Sequence, residues 1–290
     1  MPELPEVETL RRSLEPDLLN ATVRRVRVYR RDVVVAPGDP MGGFSRQRAA
    51  IKPTRLGRGD LLTDQTVRSI RRHGKQLAVV SDAGRALLVH LGMTGQVLVQ
   101  PPGGSLPDHA HVVWSVDTAA GPKRLVFRDP RRFGGLWVVP TVDALKERWR
   151  GLGPDALGVQ PPDLAARLAA TRRPLKAALL DQTVIAGLGN IYVDEACHAA
   201  HLRPDRRTDT LCRGDVARLV TEIHAVLAIA IGLGGSTLRD YRNAHGHPGD
   251  ATRRHAVYGR AGEPCPACGQ PLSSEILAGR TTVWCARCAR

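Results

Sequence analysis

Four cysteines near the C-terminus constrain the fold of this 290-residue chain more than any other feature. They form two C-x-x-C pairs, Cys265 with Cys268 and Cys285 with Cys288, and 16 residues separate the pairs. This spacing is typical of a tetrahedral zinc site with four thiolate ligands, and it disfavours the alternative of four unrelated thiols. Because four protein ligands leave no open position, we expect one structural Zn²⁺ ion in a small zinc finger.

The charge balance indicates a polyanionic partner. The chain has 42 Lys and Arg against 28 Asp and Glu, a formal net charge of +14. Such an excess suggests nucleic acid, with a basic surface from background composition as the alternative. The acidic start lacks the apolar core of a signal peptide, and the longest apolar run, 225–235, is too short to span a bilayer. We therefore expect a cytoplasmic protein that is not bound to a membrane.

The first residues combine a potential amine with carboxylates at the start of a predicted helix. An initiator Met is ordinarily removed before proline, which would leave Pro2 with a free secondary amine. An α-amino group has a pKa of about 7.7–8.0, so part of it is neutral and nucleophilic at physiological pH. With Glu3 and Glu6 beside it, this amine has the parts for covalent attack and proton transfer. The alternative is ordinary helix punctuation, with Pro5 and acidic residues in the first turn.

Short alternating apolar segments predict a β-domain after this helix. The predicted strands are 21–35, 60–63, 67–72, 76–81, 86–90, 112–116, 124–127 and 136–139, with a loop at 37–43 and a short helix at 141–150. Many short strands behind one long helix favour an antiparallel β-sandwich that ends near residue 140.

The pattern changes to helices beyond the Gly-Pro boundary at 151–154. The predicted helices are 164–170, 175–180, 191–200 and 215–231. Gly187 and Gly189 make a tight turn between helices, and Asn190 is placed to cap the next helix, where free amides attract phosphate. Such turns also occur for purely structural reasons. Cys197 and Cys212 are predicted to be core residues.

Two turns of the β-domain carry large apolar side chains. Met93 lies between glycines in segment 90–95, and Phe133 lies in the basic segment 129–134. Proteins that bend DNA use exposed apolar wedges of this kind to unstack bases. The alternative is that both side chains fold back onto the core. Lys75 belongs to a basic hairpin at 71–75, and such a hairpin is usually a solvated edge, so the sequence alone does not make Lys75 catalytic.

Five segments, in this order, resemble the formamidopyrimidine-DNA glycosylase family over essentially the whole chain. They are Pro-Glu-Leu-Pro-Glu-Val-Glu (2–8), His-Leu-Gly-Met-Thr-Gly (90–95), Asp-Pro-Arg-Arg-Phe-Gly (129–134), Gly-Leu-Gly-Asn-Ile-Tyr (187–192) and the cysteine module. The resemblance implies a bifunctional DNA glycosylase and abasic-site lyase that excises oxidised purines (8-oxoguanine and formamidopyrimidines) from double-stranded DNA. It implies a Schiff base on Pro2 with β,δ-elimination, and a monomeric bacterial repair enzyme associated with the nucleoid.

The resemblance also implies a fold and a role for each matching residue. The fold would be α+β, with a catalytic N-terminal β-sandwich domain (1–140), a helix-two-turn-helix DNA-binding domain (141–252) and a zinc finger on a β-hairpin (253–290). Pro2 would be the nucleophile, Glu3 the acid/base and Glu6 a second carboxylate, with Lys75 assisting base removal. The matching DNA-binding positions are His90, Met93, Arg131, Phe133, Lys176, Asn190 and Arg280. Among them, Met93, Arg131 and Phe133 would fill the gap left by the extruded nucleotide, and Lys176, Asn190 and Arg280 would bind DNA phosphates.

One segment departs from the family pattern. Residues 245–252 read His-Gly-His-Pro-Gly-Asp-Ala-Thr, where the family often has Asp-Gly-x-Pro-Gly-Tyr-Phe-Gln. In the family this segment belongs to a loop that closes over the extruded base, so its change bears on lesion preference. Leu4 and the Met-Arg-Phe trio favour the purine branch over the endonuclease VIII-like enzymes for oxidised pyrimidines. That branch, and a non-catalytic zinc-finger DNA-binding protein, are the alternatives.

Overall fold

A computed structural model describes residues 1–37, 39, 54–57 and 59–289. The chain divides into two compact units, the first Met1–Trp149 with Gly234–Asp250 and the second Arg150–Leu233 with Ala251–Arg290. The segment Gly234–Asp250 therefore belongs to the first unit, although it follows the helical region in sequence. The three domains inferred from the sequence (1–140, 141–252 and 253–290) stay a prediction.

The first unit begins with helix α1 (Leu4–Leu18), which follows from local sequence signals. Pro5 lies in the first turn, where its missing amide hydrogen costs no helical hydrogen bond. Val7, Leu10 and Leu14 recur at helical spacing, and all three are at most 1% exposed. The apolar face of α1 is therefore part of the main hydrophobic core of this unit.

Nine strands of the first unit form two sheets. In chain order they are β1 (Thr22–Val28), β2 (Val34–Val35), β3 (Val67–His73), β4 (Gln76–Ser81), β5 (Ala86–His90), β6 (Gln96–Gln100), β7 (Ala110–Thr118), β8 (Gly121–Arg128) and β9 (Gly135–Val139), counted over the described residues. The sheet orders are β1-β7-β8-β6 and β2-β9-β5-β4-β3. Neighbouring strands are antiparallel except β2 and β9, which are parallel. Buried residues of both sheets share one core, as a β-sandwich requires.

Several strand predictions are corrected by the structure. Residues 21–35 are not one strand, because a 3₁₀ turn at Arg31–Val33 separates β1 from β2. Residues 60–63 are turns, in which Leu62 has a left-handed φ of 66°. The apolar residues at 60–63 were mistaken for a strand because they are buried: Leu62 is 2% exposed. Strand β6 was not predicted, and the predicted loop 37–43 lies outside the described residues except at positions 37 and 39.

Helix α2 (Val142–Arg150) joins the two units in sequence, and the second unit contains α3 (Pro161–Ala169), α4 (Leu175–Leu180), α5 (Asn190–Ala199) and α6 (Arg213–Gly232). These bounds agree with the predicted helices to within three residues. Strands β10 (Ser273–Leu277) and β11 (Arg280–Trp284) form an antiparallel hairpin. The α+β class with a helical region and a C-terminal hairpin is thus confirmed. Among the described residues, no helix has both the length and the apolar character to cross a membrane.

Candidate active site and DNA interface

Pro2 and Glu3 immediately precede α1, and the first turn of the helix fixes their position. The backbone nitrogen of Glu3 donates a 2.7 Å hydrogen bond to Oε2 of Glu6. The Glu3 carboxylate in turn accepts the Glu6 backbone amide, which completes a reciprocal capping box. Glu3 is 3% exposed and Glu6 is 1% exposed, whereas Met1 is 53% exposed. The fold therefore buries both predicted carboxylates beside the predicted nucleophile.

Glu6 also joins the start of the chain to the segment Gly234–Asp250 within the first unit. Its Oε1 accepts a 2.6 Å hydrogen bond from the backbone nitrogen of Ser236, and its carbonyl accepts one of 3.0 Å from the Tyr241 hydroxyl. Burial, and then the charge of Glu6, raises the pKa of Tyr241, so this hydroxyl stays a donor at physiological pH. A Cβ at Gly235 would lie 2.9 Å from Oε1 of Glu6, so the approach requires glycine.

Lys75 lies in the turn between β3 and β4 and is 9% exposed. This turn is tied to α1 by Arg72, which donates to the Gly74 carbonyl at 3.0 Å and to Oε2 of Glu8 at 3.0 Å. Burial tends to raise the pKa of Glu8, but three guanidinium groups outweigh it and lower this pKa to about 2 (Arg11, Arg12 and Arg72). Glu8 is therefore ionised at physiological pH and, through Arg72, holds the Lys75 turn against α1.

His90 lies at the end of β5 and contacts the same turn. Its ring hydrogen-bonds to the backbone of Lys75, and its centroid lies 6.3 Å from that of Trp137. Burial, and then the charge of Lys75, lowers the pKa of His90, so the ring is neutral near pH 7. The structure thus brings together two of the predicted residues, Lys75 of the β3–β4 turn and His90 of β5.

The two turns predicted to carry the wedge residues are bound to each other by Asp129, which is fully buried. Its Oδ2 accepts a 2.7 Å hydrogen bond from the backbone nitrogen of Gly134, and its Oδ1 accepts the Thr94 hydroxyl. The turns approach so closely that a Cβ on Gly92 would lie 2.4 Å from the Gly134 nitrogen. The glycines of both motifs are therefore explained by backbone-to-backbone packing.

Met93, Arg131 and Phe133 are carried by this pair of turns. Met93 is 41% exposed, so it does not fold back onto the core. Phe133 is half-buried, and the exposed Arg131 lies over its ring with the guanidinium carbon 4.6 Å from the centroid. The stacked pair places a cation on an aromatic face, and the turn bound to it carries an exposed thioether. The assigned roles of the three residues in DNA binding stay predictions.

The four cysteines of the second unit converge as the spacing predicts. Their sulfurs all lie within 4.8 Å of one another, with 4.0 Å between Cys265 and Cys288 and 3.4 Å between Cys268 and Cys285. Sulfurs bound at about 2.3 Å to a tetrahedral zinc ion would lie roughly 3.8 Å apart, so the donor set fits the ion. This cluster is a site for one structural zinc ion, at the base of the β10–β11 hairpin.

The three predicted phosphate-binding residues of the second unit have different environments. Arg280 is exposed at the start of β11. Asn190 was predicted to cap α5, but it is the first residue of the helix and Gly189 is the cap. The Asn190 Nδ2 donates a 3.1 Å hydrogen bond to the Thr281 carbonyl. Lys176 is fully buried, with Nζ 2.7 Å from Asp194. A phosphate cannot reach this ammonium in the described conformation, which removes the basis for a direct contact by Lys176.

Cys212 also differs from its prediction. It is exposed rather than buried, and as the residue preceding α6 its sulfur accepts the Asp215 amide at 3.4 Å. Cys197 is fully buried, as predicted.

Several residues that organise the site were not singled out from the sequence. Glu8 and Asp129 lie inside the quoted motifs, so the motifs carried a signal that was not interpreted. Arg72 lies in a basic run whose cations look equivalent in sequence. Ser236 and Tyr241 contact Glu6 over more than 200 residues, and no local pattern predicts such contacts.

Comparisons with known proteins agree with this geometry. Family models match for the formamidopyrimidine-DNA glycosylase N-terminal domain at residues 1–136, its H2TH domain at 151–242, and a zinc finger found in FPG and IleRS at 262–290. A formamidopyrimidine-DNA glycosylase of Geobacillus kaustophilus is 39% identical over 293 residues, with all of both chains covered.

Solved structures are similar over the same extent. The MutM (Fpg) protein of Thermus thermophilus has a TM-score of 0.80 at 38% identity, covering 99% of this chain and 98% of that one. Lactococcus lactis Fpg, in complex with DNA that contains N7-benzyl-Fapy-dG, has a TM-score of 0.82 at 29% identity, with both chains fully covered. With three matching domains in order and full-length relatives, this chain belongs to the formamidopyrimidine-DNA glycosylase family.

Proposed function

We propose that this protein is a DNA glycosylase and abasic-site lyase that excises oxidised purines from duplex DNA. The observation that carries the proposal is the capping box, which holds the buried Glu3 carboxylate beside Pro2 before any substrate binds. The name shared by the full-length relatives supports the same substrate class. A bound formamidopyrimidine nucleotide in the Lactococcus lactis complex supports it independently.

The chemistry requires the removal of Met1, which leaves Pro2 with a secondary amine. This nitrogen attacks the anomeric carbon of the damaged nucleotide as the glycosidic bond breaks, and the leaving base takes up a proton. Opening of the sugar ring then gives an iminium (Schiff base) between Pro2 and the sugar. Loss of a C2′ proton expels the 3′ phosphate, and a second elimination expels the 5′ phosphate. Glu3 would exchange protons in these steps.

A base inside a duplex is out of reach of an amine at a chain terminus, so the nucleotide must be extruded at a cost of a few kcal/mol. Met93 and Phe133 would offset this cost by filling the vacated space. Arg131, which is exposed and stacked on Phe133, would donate hydrogen bonds to the cytosine that loses its partner when the damaged base is extruded. We further propose that Lys75 and His90 contact the phosphates that flank the extruded nucleotide.

We also propose that the protein acts as a monomer in the bacterial cytoplasm, associated with the nucleoid. The named relatives come from bacteria, and the surplus of positive charge, +14 in total, favours association with DNA.

The test is borohydride trapping on a duplex with 8-oxoguanine opposite cytosine. Borohydride reduces a Schiff base to a stable amine, so a covalent protein–DNA band reports the intermediate. We expect a band with wild type and none with Glu3→Gln. Pro2→Gly should give a much weaker band, because its N-terminal glycine still carries a primary amine that can form a Schiff base. A band on an abasic duplex alone would keep the lyase chemistry and move the lesion elsewhere, for example to oxidised pyrimidines. No band on either duplex would leave a zinc-stapled DNA-binding protein.

A further inference from the structure

Helix α5 carries two adjacent carboxylates that both face the zinc module. We propose that Asp194 and Glu195, together with Lys176, are positioning residues that align Arg280 of the zinc hairpin with Asn190 of the helical turn. Arg280 and Asn190 would then bind neighbouring DNA phosphates as one grip. The inference rests on the proposed function only in that it takes the DNA backbone as the ligand.

Asp194 connects α5 to both α4 and β11. Its Oδ1 lies 2.7 Å from Nζ of Lys176, and its Oδ2 accepts a 3.1 Å hydrogen bond from the backbone nitrogen of Val283. Both side chains of the ion pair are 0% exposed. The Lys176 Nζ also donates a 3.0 Å hydrogen bond to the Thr281 carbonyl. One buried pair thus fixes strand β11 at two backbone positions.

Glu195 binds the other side of the zinc module. Its two carboxylate oxygens accept three consecutive backbone amides at 2.8 to 3.0 Å, those of Ala256, Val257 and Tyr258. Glu195 is itself 6% exposed. Val257 packs in the small core of the module with Cys265 and Cys285. Asp194 and Glu195 therefore hold both parts of the zinc module (residues 256–289): Glu195 binds its first residues, 256–258, and Asp194 binds strand β11 of its hairpin.

The Thr281 carbonyl is the point where these contacts meet the DNA-binding positions. It accepts Nζ of Lys176 and Nδ2 of Asn190 together, and it belongs to the residue directly after Arg280. Asn190 and Arg280 are thereby held in a fixed register through a single backbone group. A buried ion pair adds little net stability, because the charges lose hydration, so a positional role is the better account of its presence.

The proposal assigns Lys176 an indirect action on DNA, whereas the family resemblance implies a direct phosphate contact. A double-mutant cycle separates these alternatives. The first variant is Lys176→Met with Asp194→Asn, which removes both buried charges together and so leaves neither uncompensated. The second is Arg280→Ala, and the third combines all three substitutions. Lys146→Met is the matched control, because Lys146 is an exposed lysine of the first unit whose ion pair with Asp143 lies at the surface.

The first readout is binding to a duplex that carries a tetrahydrofuran abasic analogue, measured as a function of salt. The logarithm of the binding constant falls linearly with the logarithm of the salt concentration, and the steepness of this line is the salt slope. Removing one phosphate contact reduces the magnitude of the salt slope by about one and weakens binding about fivefold near physiological salt. We expect this loss for Arg280→Ala, the same loss for the paired variant, and no further loss when they are combined. Lys146→Met should match wild type. Zinc content should stay at one ion per chain throughout.

The second readout is cleavage of a natural abasic duplex. A loss of DNA grip without a change in chemistry raises KM about fivefold and leaves kcat unchanged. If wild type does not cleave this duplex, the proposed function fails, while the salt slopes still decide the positioning proposal.

Two results would overturn the proposal. Additive losses, with the slope of the combined variant lower by about two, would show that Lys176 neutralises a phosphate itself. Wild-type binding by the paired variant, with its zinc retained, would show that the buried pair does not position Arg280. If the paired variant loses zinc or fails to fold, Glu195→Gln takes its place in the same cycle, with the same expected non-additivity and the same contradicting results.

Discussion

The carboxylate of Glu6 accepts a 2.6 Å hydrogen bond from the backbone nitrogen of Ser236, 230 residues later in the chain. The same carboxylate accepts the backbone nitrogen of Glu3 at 2.7 Å. Each oxygen of one side chain is thus committed to a different backbone donor, one beside the predicted nucleophile and one in the segment Gly234–Asp250. Glu6 needs both of its acceptors, so its identity is testable by an isosteric change.

Glu6→Gln should destabilise the protein and slow the formation of the trapped intermediate. The Gln side chain has only one acceptor oxygen, so its NH₂ group must face the backbone N–H of either Glu3 or Ser236. This buried contact between two donors costs about 1–3 kcal/mol. Chemical denaturation measures the free energy of unfolding, and borohydride trapping measures the rate. Glu15→Gln is the control, because Glu15 is 42% exposed in its pair with Arg11 and should cost less than about 0.5 kcal/mol. Equal stability of the two variants would contradict this role of Glu6.

Acid should remove the contribution of Glu8 to stability. Its pKa is lowered to about 2 in the folded protein, from 4.5. A lowered pKa gives stability that is fully present above pH 4.5 and is lost as the pH falls toward 2. Between pH 6 and pH 3 we expect the free energy of unfolding of wild type to fall by about 2 kcal/mol more than that of Glu8→Gln. Loss of zinc in acid is common to both proteins and cancels in this difference, and parallel pH profiles would exclude the effect.

Asp129→Asn should impair base extrusion more than the lyase chemistry. The substitution either sets an amide donor against the Gly134 amide or forces the Thr94 hydroxyl to accept instead of donate. In both cases two charge-assisted hydrogen bonds are lost, which loosens the turns that carry Met93 and Phe133. We expect trapping to slow by about tenfold or more on an 8-oxoguanine duplex, equivalent to about 1.4 kcal/mol in the barrier. Trapping on an abasic duplex should slow less, because no paired base must leave the stack there. Asp117→Asn, in an exposed pair with Arg24, is the control, and an equal loss on both duplexes would argue against a wedge role.

Chelation of zinc should weaken DNA binding reversibly. The ion supplies much of the folding free energy of such small modules, so the β10–β11 hairpin should lose the defined position of Arg280 without it. Fluorescence anisotropy with labelled duplex DNA, before and after chelation and on re-addition of Zn²⁺, measures the effect. Cys285→Ser should reproduce the loss, whereas Cys212→Ser should retain one zinc per chain and normal affinity. Unchanged affinity after complete zinc removal would contradict the prediction.

Local sequence patterns predicted the bounds of helices and strands better than the tertiary contacts of individual side chains. Strands β4 and β5 and helix α4 match their predicted bounds because apolar runs end at clear turn residues. The segment 60–63 failed because a buried turn and a short strand have the same apolar composition. Lys176 looks like any other cation in sequence, and only the tertiary packing of Asp194 and Thr281 around it shows that it is enclosed. The zinc ligands were predictable because their chemistry resides in spacing alone.

The assignment of Gly234–Asp250 to the first unit has a consequence for biosynthesis. The chain leaves that unit after Trp149, returns to it at Gly234 and leaves again after Asp250. Ribosomes add roughly 5–20 residues per second, so the partner of Glu6 is synthesised about 10–50 seconds after Glu6 itself. A nascent chain that ends near Trp149 contains the strands of the β-sandwich but lacks the segment Gly234–Asp250, which binds Glu6. The segment that carries Glu3 and Glu6 is therefore synthesised long before the residues that complete the hydrogen bonds of Glu6.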